Sequence, residues 1–309
     1  MEKLISVLQI ILPIFACVAL GILAKKRKVM SQEQVSGLQQ FAIKFCLPCV
    51  LFSAYLTASF SSESVGSLVL TMVMILGGTL WAFSRGRKRY PYHNLPMLFA
   101  AQESGMLGIP LFITLFGTGS AYYMGILDLA QAVVCISTIS ILSAPASDSP
   151  TPKSIALEVV KSPLLILGAL GLVMNLTGLG ALLDRIGVGQ LLTETTGFIA
   201  APISAVMLFS VGYNLSFQAG YLKRITELFL LHLGYTAGAM LMIQGLLFLI
   251  PNVSPLTRWA LLIYSTLPAS YIAPSMGKTS EDGAIASGVC SMGTVVSLIL
   301  FCIIAIVIA

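Results

Sequence analysis

Long apolar stretches alternate with short polar links along the whole chain. Most stretches hold about 20 residues, the length that an α-helix needs to cross a bilayer. The pattern predicts ten membrane-spanning helices, at residues 4–24, 36–57, 65–83, 95–115, 119–143, 161–180, 196–216, 226–250, 257–276 and 283–308. The longest link, 144–160, is rich in serine and proline and is typical of a flexible linker. The predicted fold class is therefore an all-α membrane protein.

Composition excludes several classes of protein. Of the 309 residues 57% are apolar and 9% charged, whereas about a quarter of the residues in a soluble domain are charged. The chain is therefore not a water-soluble enzyme. The net charge is +5, and the basic residues lie in short clusters between the apolar stretches. Such clusters orient a chain in a lipid bilayer. The charge therefore indicates the bilayer as a partner and excludes nucleic-acid binding. All six cysteines lie inside apolar stretches and imply no disulfide framework.

The basic residues predict the orientation of the chain. Of the 17 Lys and Arg residues, 13 lie in the odd-numbered links and three on the opposite side, while Lys44 lies within the second span. By the positive-inside rule the odd-numbered links, including 144–160, face the cytoplasm. We therefore expect a multi-pass protein of the cytoplasmic (inner) membrane with both termini extracytoplasmic.

The linker at 144–160 divides the spans into two sets of five, 1–143 and 161–309. Because five is an odd number, the two halves must have opposite orientations, as in transporters built from inverted repeats. A short internal similarity agrees with this arrangement, since Leu51-Phe52-Ser53 in span two recurs as Leu208-Phe209-Ser210 in span seven. The sequence therefore predicts two inverted five-helix repeats.

Spans four and nine each contain helix-weakening residues. Proline removes a backbone hydrogen bond and glycine weakens the helix around it, so we expect breaks near 105–110 and 268–274, facing each other. Broken backbone at membrane depth is tolerated where it lines a cavity, and paired breaks in two halves indicate a transport site. The alternative is that these prolines only kink ordinary helices. The candidate substrate-binding residues are Gln102, Glu103, Ser104, Gly105, Pro110, Pro268, Ser270 and Pro274.

Four ionisable residues lie in the middle parts of spans, where they are costly and usually functional. Glu103 and Asp128 are candidates for coupling to H⁺ or Na⁺, and a sodium site near Glu103 is the only metal site that we consider. Three alternatives stay open: a salt bridge between Glu103 and Lys44, a structural role for Asp128 with Gln131 at the broken backbone, and snorkelling of Lys44 to the surface. His232 fits a packing residue better than a proton relay.

Several short motifs follow one another along nearly the whole chain: Leu47-Pro48, Leu51-Phe52, Gly105, Gly108 to Leu111, Phe116-Gly117, Asp128, Gln131, Ser162-Pro163, Gly168, Pro202, Gly212, Leu215 and Leu267 to Ala269. Together they resemble the auxin efflux carrier family, which includes plant auxin exporters and bacterial permeases for malonate and malate. The resemblance implies ten helices in two inverted repeats, with broken helices four and nine crossing near the membrane centre. It also implies a scaffold of spans one, two, six and seven, often dimeric, beside a moving transport unit.

One position departs from the family pattern. Relatives commonly carry Asn, a small hydroxyl residue and Gly where this chain has Glu103, Ser104 and Gly105. An ionised carboxylate there would repel a carboxylate substrate, so either Glu103 is protonated when substrate binds or the substrate differs. A glutamate would also suit sodium, as in the related bile-acid transporters.

The predicted function is a secondary active transporter, a permease that moves a small organic anion such as a carboxylate across the cytoplasmic membrane by alternating access. The alternatives are a sodium-coupled bile-acid-type transporter of amphipathic anions and, from another class, an intramembrane enzyme or a sensor. No HExxH, GxSxG or paired-aspartate motif supports an enzyme. We expect no cofactor beyond a coupling ion. The expected partners are the organic anion, the bilayer and, in a homodimer, a second copy of the chain.

Overall fold

The structure is a computed structural model that describes residues 2–58, 61–144, 151, 153, 157, 161, 163–249 and 252–308. Within these residues every long element is helical, as predicted. The α-helices are α1 (Glu2–Arg27), α2 (Gln32–Phe41), α3 (Leu47–Leu56), α4 (Ser62–Trp81), α5 (Arg87–Arg89), α6 (Leu95–Ala100), α7 (Ile109–Phe116), α8 (Ala121–Ser143), α9 (Pro163–Leu176), α10 (Leu179–Arg185), α11 (Val188–Ala200), α12 (Ile203–Asn214), α13 (Leu222–Leu247), α14 (Pro255–Thr266) and α15 (Ser280–Ile308).

Among the described residues, seven helical segments are long and apolar enough to cross a membrane: Val7–Arg27, Gln32–Leu56, Ser62–Arg89, Thr118–Ser143, Val188–Asn214, Ala219–Leu247 and Ser280–Ile308. Two further apolar pieces are shorter or bent. One is Ser104–Phe116, and the other is the pair Ile166–Leu176 and Leu179–Arg185, which meet at 77°. The chain is thus an all-helical, multi-pass protein, while the count of ten spans and the inverted repeat stay predictions. Most of the predicted linker at 144–160 lies outside the described residues.

Local sequence explains how the second span is built. Ser31 begins α2 with a capping box, in which its hydroxyl accepts from the Gln34 N–H and the Gln34 side chain accepts from the Ser31 N–H. A π-helical turn at Ala42–Cys46 then joins α2 to α3. Pro48 lies in the first turn of α3, where a missing N–H is tolerated. The segment Gln32–Leu56 is therefore one continuous helical span despite its proline.

Two close helix contacts hold one group of helices together, namely α1 with α12 and α9 with α3. A Cβ atom at Gly21 of α1 would overlap the carbonyl oxygen of Phe209, and a Cβ at Gly171 of α9 would overlap that of Phe52. Only glycine lets the two backbones approach so closely. α11 joins this group through α3.

A second group forms around the short helices α6 and α7 and includes α4, α8, α13, α14 and α15. Within it α4 packs on α8, and α13 packs on α14 and α15. Large side chains such as Phe112, Tyr264 and Phe301 are fully buried between these helices. The cavities described below lie between the two groups.

Candidate functional site

The first interrupted segment lies between α6 and α7. These helices are separated by residues 101–103, which are not helical, and by a π-helical turn at Ser104–Gly108. The expected position of this break, 105–110, was therefore wrong by a few residues. Pro110 falls in the first turn of α7, and the wider π turn runs into that helix without interruption.

The second interrupted segment follows α14, which ends at Thr266. The chain leaves the helical conformation at Leu267 and returns to it in a 3₁₀ turn at Ala273–Met276. This break agrees with the expected position at 268–274. Both predicted interruptions are thus present.

The two interrupted segments bind each other through their backbones. The Glu103 N–H donates to the Pro268 carbonyl at 2.8 Å, and the Ser270 N–H donates to the Ala101 carbonyl at 3.0 Å, so that the segments form a short antiparallel bridge. Unpaired backbone groups are costly in an apolar surrounding. Each break therefore satisfies part of the hydrogen-bonding requirement of the other. We call this contact the crossing.

Glu103 lies at the crossing and is only 7% exposed. Its carboxylate oxygen Oε2 accepts a hydrogen bond from the Tyr271 N–H at 2.6 Å. The Tyr271 hydroxyl in turn lies 2.9 Å from the Thr294 hydroxyl of α15. The Glu103 side chain precedes the helical stretch that begins at Ser104, where the helix dipole favours negative charge. The second broken segment thus fixes the position of the carboxyl group.

Two polar residues of α8 support the first break. Gln131 pairs with the backbone of Gln102 as a strand would, accepting from its N–H at 2.8 Å and donating to its carbonyl at 3.0 Å. The Tyr264 hydroxyl donates to the same Gln131 oxygen at 2.6 Å. Asp128 accepts hydrogen bonds from the Ser104 hydroxyl and from Gln131. These contacts agree with a structural role for both α8 residues.

Gln102 and His232 form a second buried link across the crossing. In the amide orientation that satisfies its neighbours, Gln102 donates to the carbonyls of Leu267 (3.0 Å) and Pro268 (3.1 Å) and accepts from His232 Nε2 at 3.2 Å. The His232 ring is buried and lies 5.6 Å from the Phe99 ring. His232 is thus hydrogen-bonded and packed, as expected for a packing residue.

A polar cavity of about 570 Å³ opens beside the crossing, and we call it the Lys25 cavity. One wall comes from α1, α2 and the end of α12, and the other from the crossing and α15. Its lining residues are Lys25, Gln32, Ser36, Gln39, Ile43, Glu103, Met106, Asn214, Ser216, Ser270, Tyr271, Ile272, Pro274, Ser275 and Ser287.

A second cavity of about 330 Å³, the Thr57 cavity, lies between α3, α7, α11 and α12. Its lining includes the hydroxyl side chains of Ser53, Thr57, Thr118, Thr193 and Ser204. The helical span Gln32–Leu56 begins in the Lys25 cavity and ends beside Thr57. A helix of this length extends about 37 Å. The two cavities therefore lie toward opposite ends of this span.

Comparison with known proteins indicates a membrane transport protein. Residues 6–156 match the family model described as membrane transport protein, that of the auxin efflux carriers. The resemblance to the auxin efflux carrier family is confirmed. An uncharacterized transporter of Methanothermobacter thermautotrophicus is 24% identical over 216 residues, which cover 68% of each chain. The family and this relative support a membrane transporter, a class that is not usually enzymatic.

The part of the chain that matches the auxin efflux carrier family contains the first interrupted segment. Pro274 lines the Lys25 cavity, whereas Gly105 lies against Leu47 and Pro110 lies within α7. Substrate binding by any of the eight candidate residues stays a prediction. Those that the structure brings together at the crossing are Gln102, Glu103, Ser104, Pro268 and Ser270.

The alternative of a salt bridge between Glu103 and Lys44 is wrong. Lys44 is exposed, and its ammonium group donates to the side chain of Gln40 at 3.4 Å. Lys44 therefore extends to the surface, which agrees with snorkelling. Among the described residues no three His, Cys, Asp or Glu side chains converge on a metal-binding point, and sodium near Glu103 stays a prediction.

Sequence reasoning gave too small a role to one residue of this region and missed the role of another. Gln131 was considered only as a companion of Asp128, although a buried amide in an apolar helix needs partners and so indicates a polar contact. Lys25 was counted only as part of a basic cluster that orients the chain. Nothing in the sequence distinguishes it from its neighbours Lys26 and Lys28.

Proposed function

We propose that the chain is a secondary active transporter, a permease that moves a small organic anion, a carboxylate, across the cytoplasmic membrane by alternating access. The observation that carries the proposal is the crossing of two interrupted segments at the Lys25 cavity, with the Thr57 cavity toward the other end of the span Gln32–Leu56. Interrupted helices beside a cavity are the usual substrate site of such transporters.

Close helix contacts support the inverted repeat on which alternating access depends. Gly171 is 150 residues after Gly21, and Phe209 is 157 residues after Phe52. The contact of Gly21 with the Phe209 carbonyl thus has a counterpart in the contact of Gly171 with the Phe52 carbonyl. The first contact joins α1 to α12 and the second joins α9 to α3, which is the exchange expected of two equivalent halves.

A pair of hydrogen bonds shows the same spacing. The Lys25 ammonium donates to the Leu215 carbonyl at 2.8 Å. Asn175, 150 residues after Lys25, donates to the carbonyl of Ala58 at 2.7 Å, and Ala58 precedes Leu215 by 157 residues. These equivalent bonds support two five-helix halves of opposite orientation, and with them ten spans.

The two cavities are related in the same way, which supports one access route at each membrane face. Residues of the Lys25 cavity and residues of the Thr57 cavity lie 157 positions apart in the sequence. The pairs are Ser36 with Thr193, Ile43 with Ala200, and Asn214 with Thr57.

The positive-inside rule assigns each of these faces to one side of the membrane. The Lys25 cavity lies at the face of the odd-numbered links and therefore opens to the cytoplasm, with both termini on the opposite side. Amide, hydroxyl and ammonium groups along this cavity suit a carboxylate. In the proposed cycle Glu103 holds H⁺ or Na⁺ while the carboxylate is bound, because two adjacent negative charges would repel each other.

Uptake into proteoliposomes tests the proposal. Proteoliposomes that contain the purified protein should accumulate at least one of acetate, malonate, malate and benzoate when an inward proton or sodium gradient is imposed. Liposomes without the protein should not accumulate them. Accumulation of taurocholate under a sodium gradient alone would favour the bile-acid-type alternative, to which the acidic side chain of Glu103 is suited. Failure to accumulate any of these anions under either gradient would contradict both.

A further inference from the structure

The geometry assigns to Lys25 the role of receiving the carboxylate of the substrate on the cytoplasmic side of the crossing. This inference rests on the proposed transport of an organic anion. It separates Lys25 from the rest of the basic cluster 25–28, which orients the chain in the membrane. Lys25 is thus a substrate-binding residue on the helix group opposite Glu103.

Lys25 differs from the other members of its cluster by its position. Among the described residues of the cluster it alone lines the cavity that also contains Glu103. Its ammonium group donates to the Leu215 carbonyl and lies 5.9 Å from the centre of the Tyr213 ring. An ammonium group has three donors, so donors remain for a ligand.

The charge of Lys25 is not balanced by an acidic partner within the described part of the chain, where the two ion pairs involve other residues. Glu103 gives the opposite wall of the cavity a negative charge whenever it is ionised. A carboxylate entering from the cytoplasm then meets repulsion from that wall and attraction from Lys25. A charge-assisted hydrogen bond to the ammonium is the strong type of contact that such a ligand needs.

The equivalent residue of the other half shows that the structural contact needs no charge. Asn175 makes the corresponding bond to the Ala58 carbonyl and a second one, at 2.8 Å, to the Tyr55 carbonyl. A neutral amide therefore suffices to join the two helices at this point. The positive charge at Lys25 is surplus to the helix contact and available to an anion.

The proposed repeat suggests the test variant. Lys25→Asn gives the first half the residue type that the second half has at the equivalent position, Asn175. We expect Lys25→Asn to keep the melting temperature of the wild type and to weaken the binding of malonate, succinate or benzoate about tenfold or more. Lys25→Arg, which keeps a charged donor, should bind these anions within about threefold of the wild type. Lys26→Asn makes the same change of charge in the same cluster and should bind them normally.

A measurement on the unmodified protein covers the case in which a variant does not fold. Each probe anion should protect Lys25, and not Lys26 or Lys28, from reductive methylation, as read by mass spectrometry of the peptides. Unaltered affinity in Lys25→Asn, or equal methylation of Lys25 with and without a bound anion, would overturn the assignment and leave anion transport standing. If the wild type neither binds nor transports any of the anions, the proposed function fails and the assignment fails with it.

Discussion

Glu103 lies at the first break and receives the Tyr271 N–H from the second. Glu103→Gln keeps an oxygen that can accept this bond and removes the charge. We expect this variant to fold and to bind the anion, while transport no longer depends on a proton or sodium gradient. Glu103→Ala also removes the acceptor and should lower the free energy of unfolding by about 1–3 kcal/mol.

Transport by both variants in proteoliposomes, beside their thermal melts, measures these effects. Glu63→Gln is a matched control, because Glu63 also accepts a backbone N–H, that of Ser254, but at a site away from the crossing. Gradient dependence should survive in this control. Unchanged gradient dependence in Glu103→Gln would rule out a coupling role for Glu103.

Gln131 gives the second prediction at this scale. Gln131→Leu conserves volume but leaves the Gln102 backbone N–H, its carbonyl and the Tyr264 hydroxyl without their shared partner. Each unsatisfied buried group costs about 1–3 kcal/mol, so the variant should melt well below the wild type. Gln190→Leu, at an exposed amide that pairs with Glu194, should have little effect. Equal melting temperatures in the two variants would contradict the role given to Gln131.

At the residue scale the sequence predicted which side chains are unusual but not what they contact. A glutamate beside glycine and proline in an apolar stretch is recognisable as a candidate site residue, and Glu103 does lie at the crossing. The bond from the Tyr271 backbone to Glu103 joins residues 168 positions apart. Such a pair depends on how the two halves pack, which no local pattern in the chain specifies.

At the element scale the sequence predicted the breaks better than their positions. Pro110 was expected to lie at a break, yet it lies in the first turn of a helix that follows a π turn, as Pro48 does in the second span. The first break falls instead at 101–103, where Gln131 and the second segment replace the missing helical bonds. Long-range partners thus decided where the helix stops.

The close contact of α1 with α12 gives a prediction at the element scale. Gly21→Ala would bring a methyl group onto the Phe209 carbonyl oxygen, a backbone atom that cannot move aside. We expect a loss of about 3 kcal/mol or more in stability, seen as a lower melting temperature and poor yield of folded protein. Gly238→Ala, in α13 with open space around the position, should be tolerated. A normal melting temperature for Gly21→Ala would contradict the close contact of α1 with α12.

At the scale of the whole molecule, apolar stretch length was sufficient to predict an all-helical multi-pass protein. The count of ten spans, predicted from the same stretches, stays a prediction, because the interrupted helices are short. Only seven segments within the described residues are long enough to be recognised by length and composition. The proposed relation between the halves is accompanied by only a three-residue match in the sequence, since packing geometry can persist while side chains change.

Orientation is the prediction that belongs to this scale. The excess of Lys and Arg in the odd-numbered links places both termini outside and the link at 144–160 in the cytoplasm. Reporter fusions after α15 and in that link should show opposite locations. A cytoplasmic C-terminus would contradict both the ten spans and the inverted repeat.

Alternating access is the central claim, and the two cavities allow it to be measured. In a variant without the six native cysteines, Ser275→Cys lines the Lys25 cavity and Thr57→Cys lines the Thr57 cavity. Labelling with a membrane-impermeant maleimide from either face reports which cavity is open, and Gly220→Cys, exposed in a link, controls for access to the reagent.

Addition of a transported anion with its coupling gradient should change the two reactivities in opposite directions, so that one position becomes protected as the other becomes reactive. Simultaneous reactivity of both positions would indicate a continuous pore. That result, or two reactivities that never change, would contradict alternating access around the crossing.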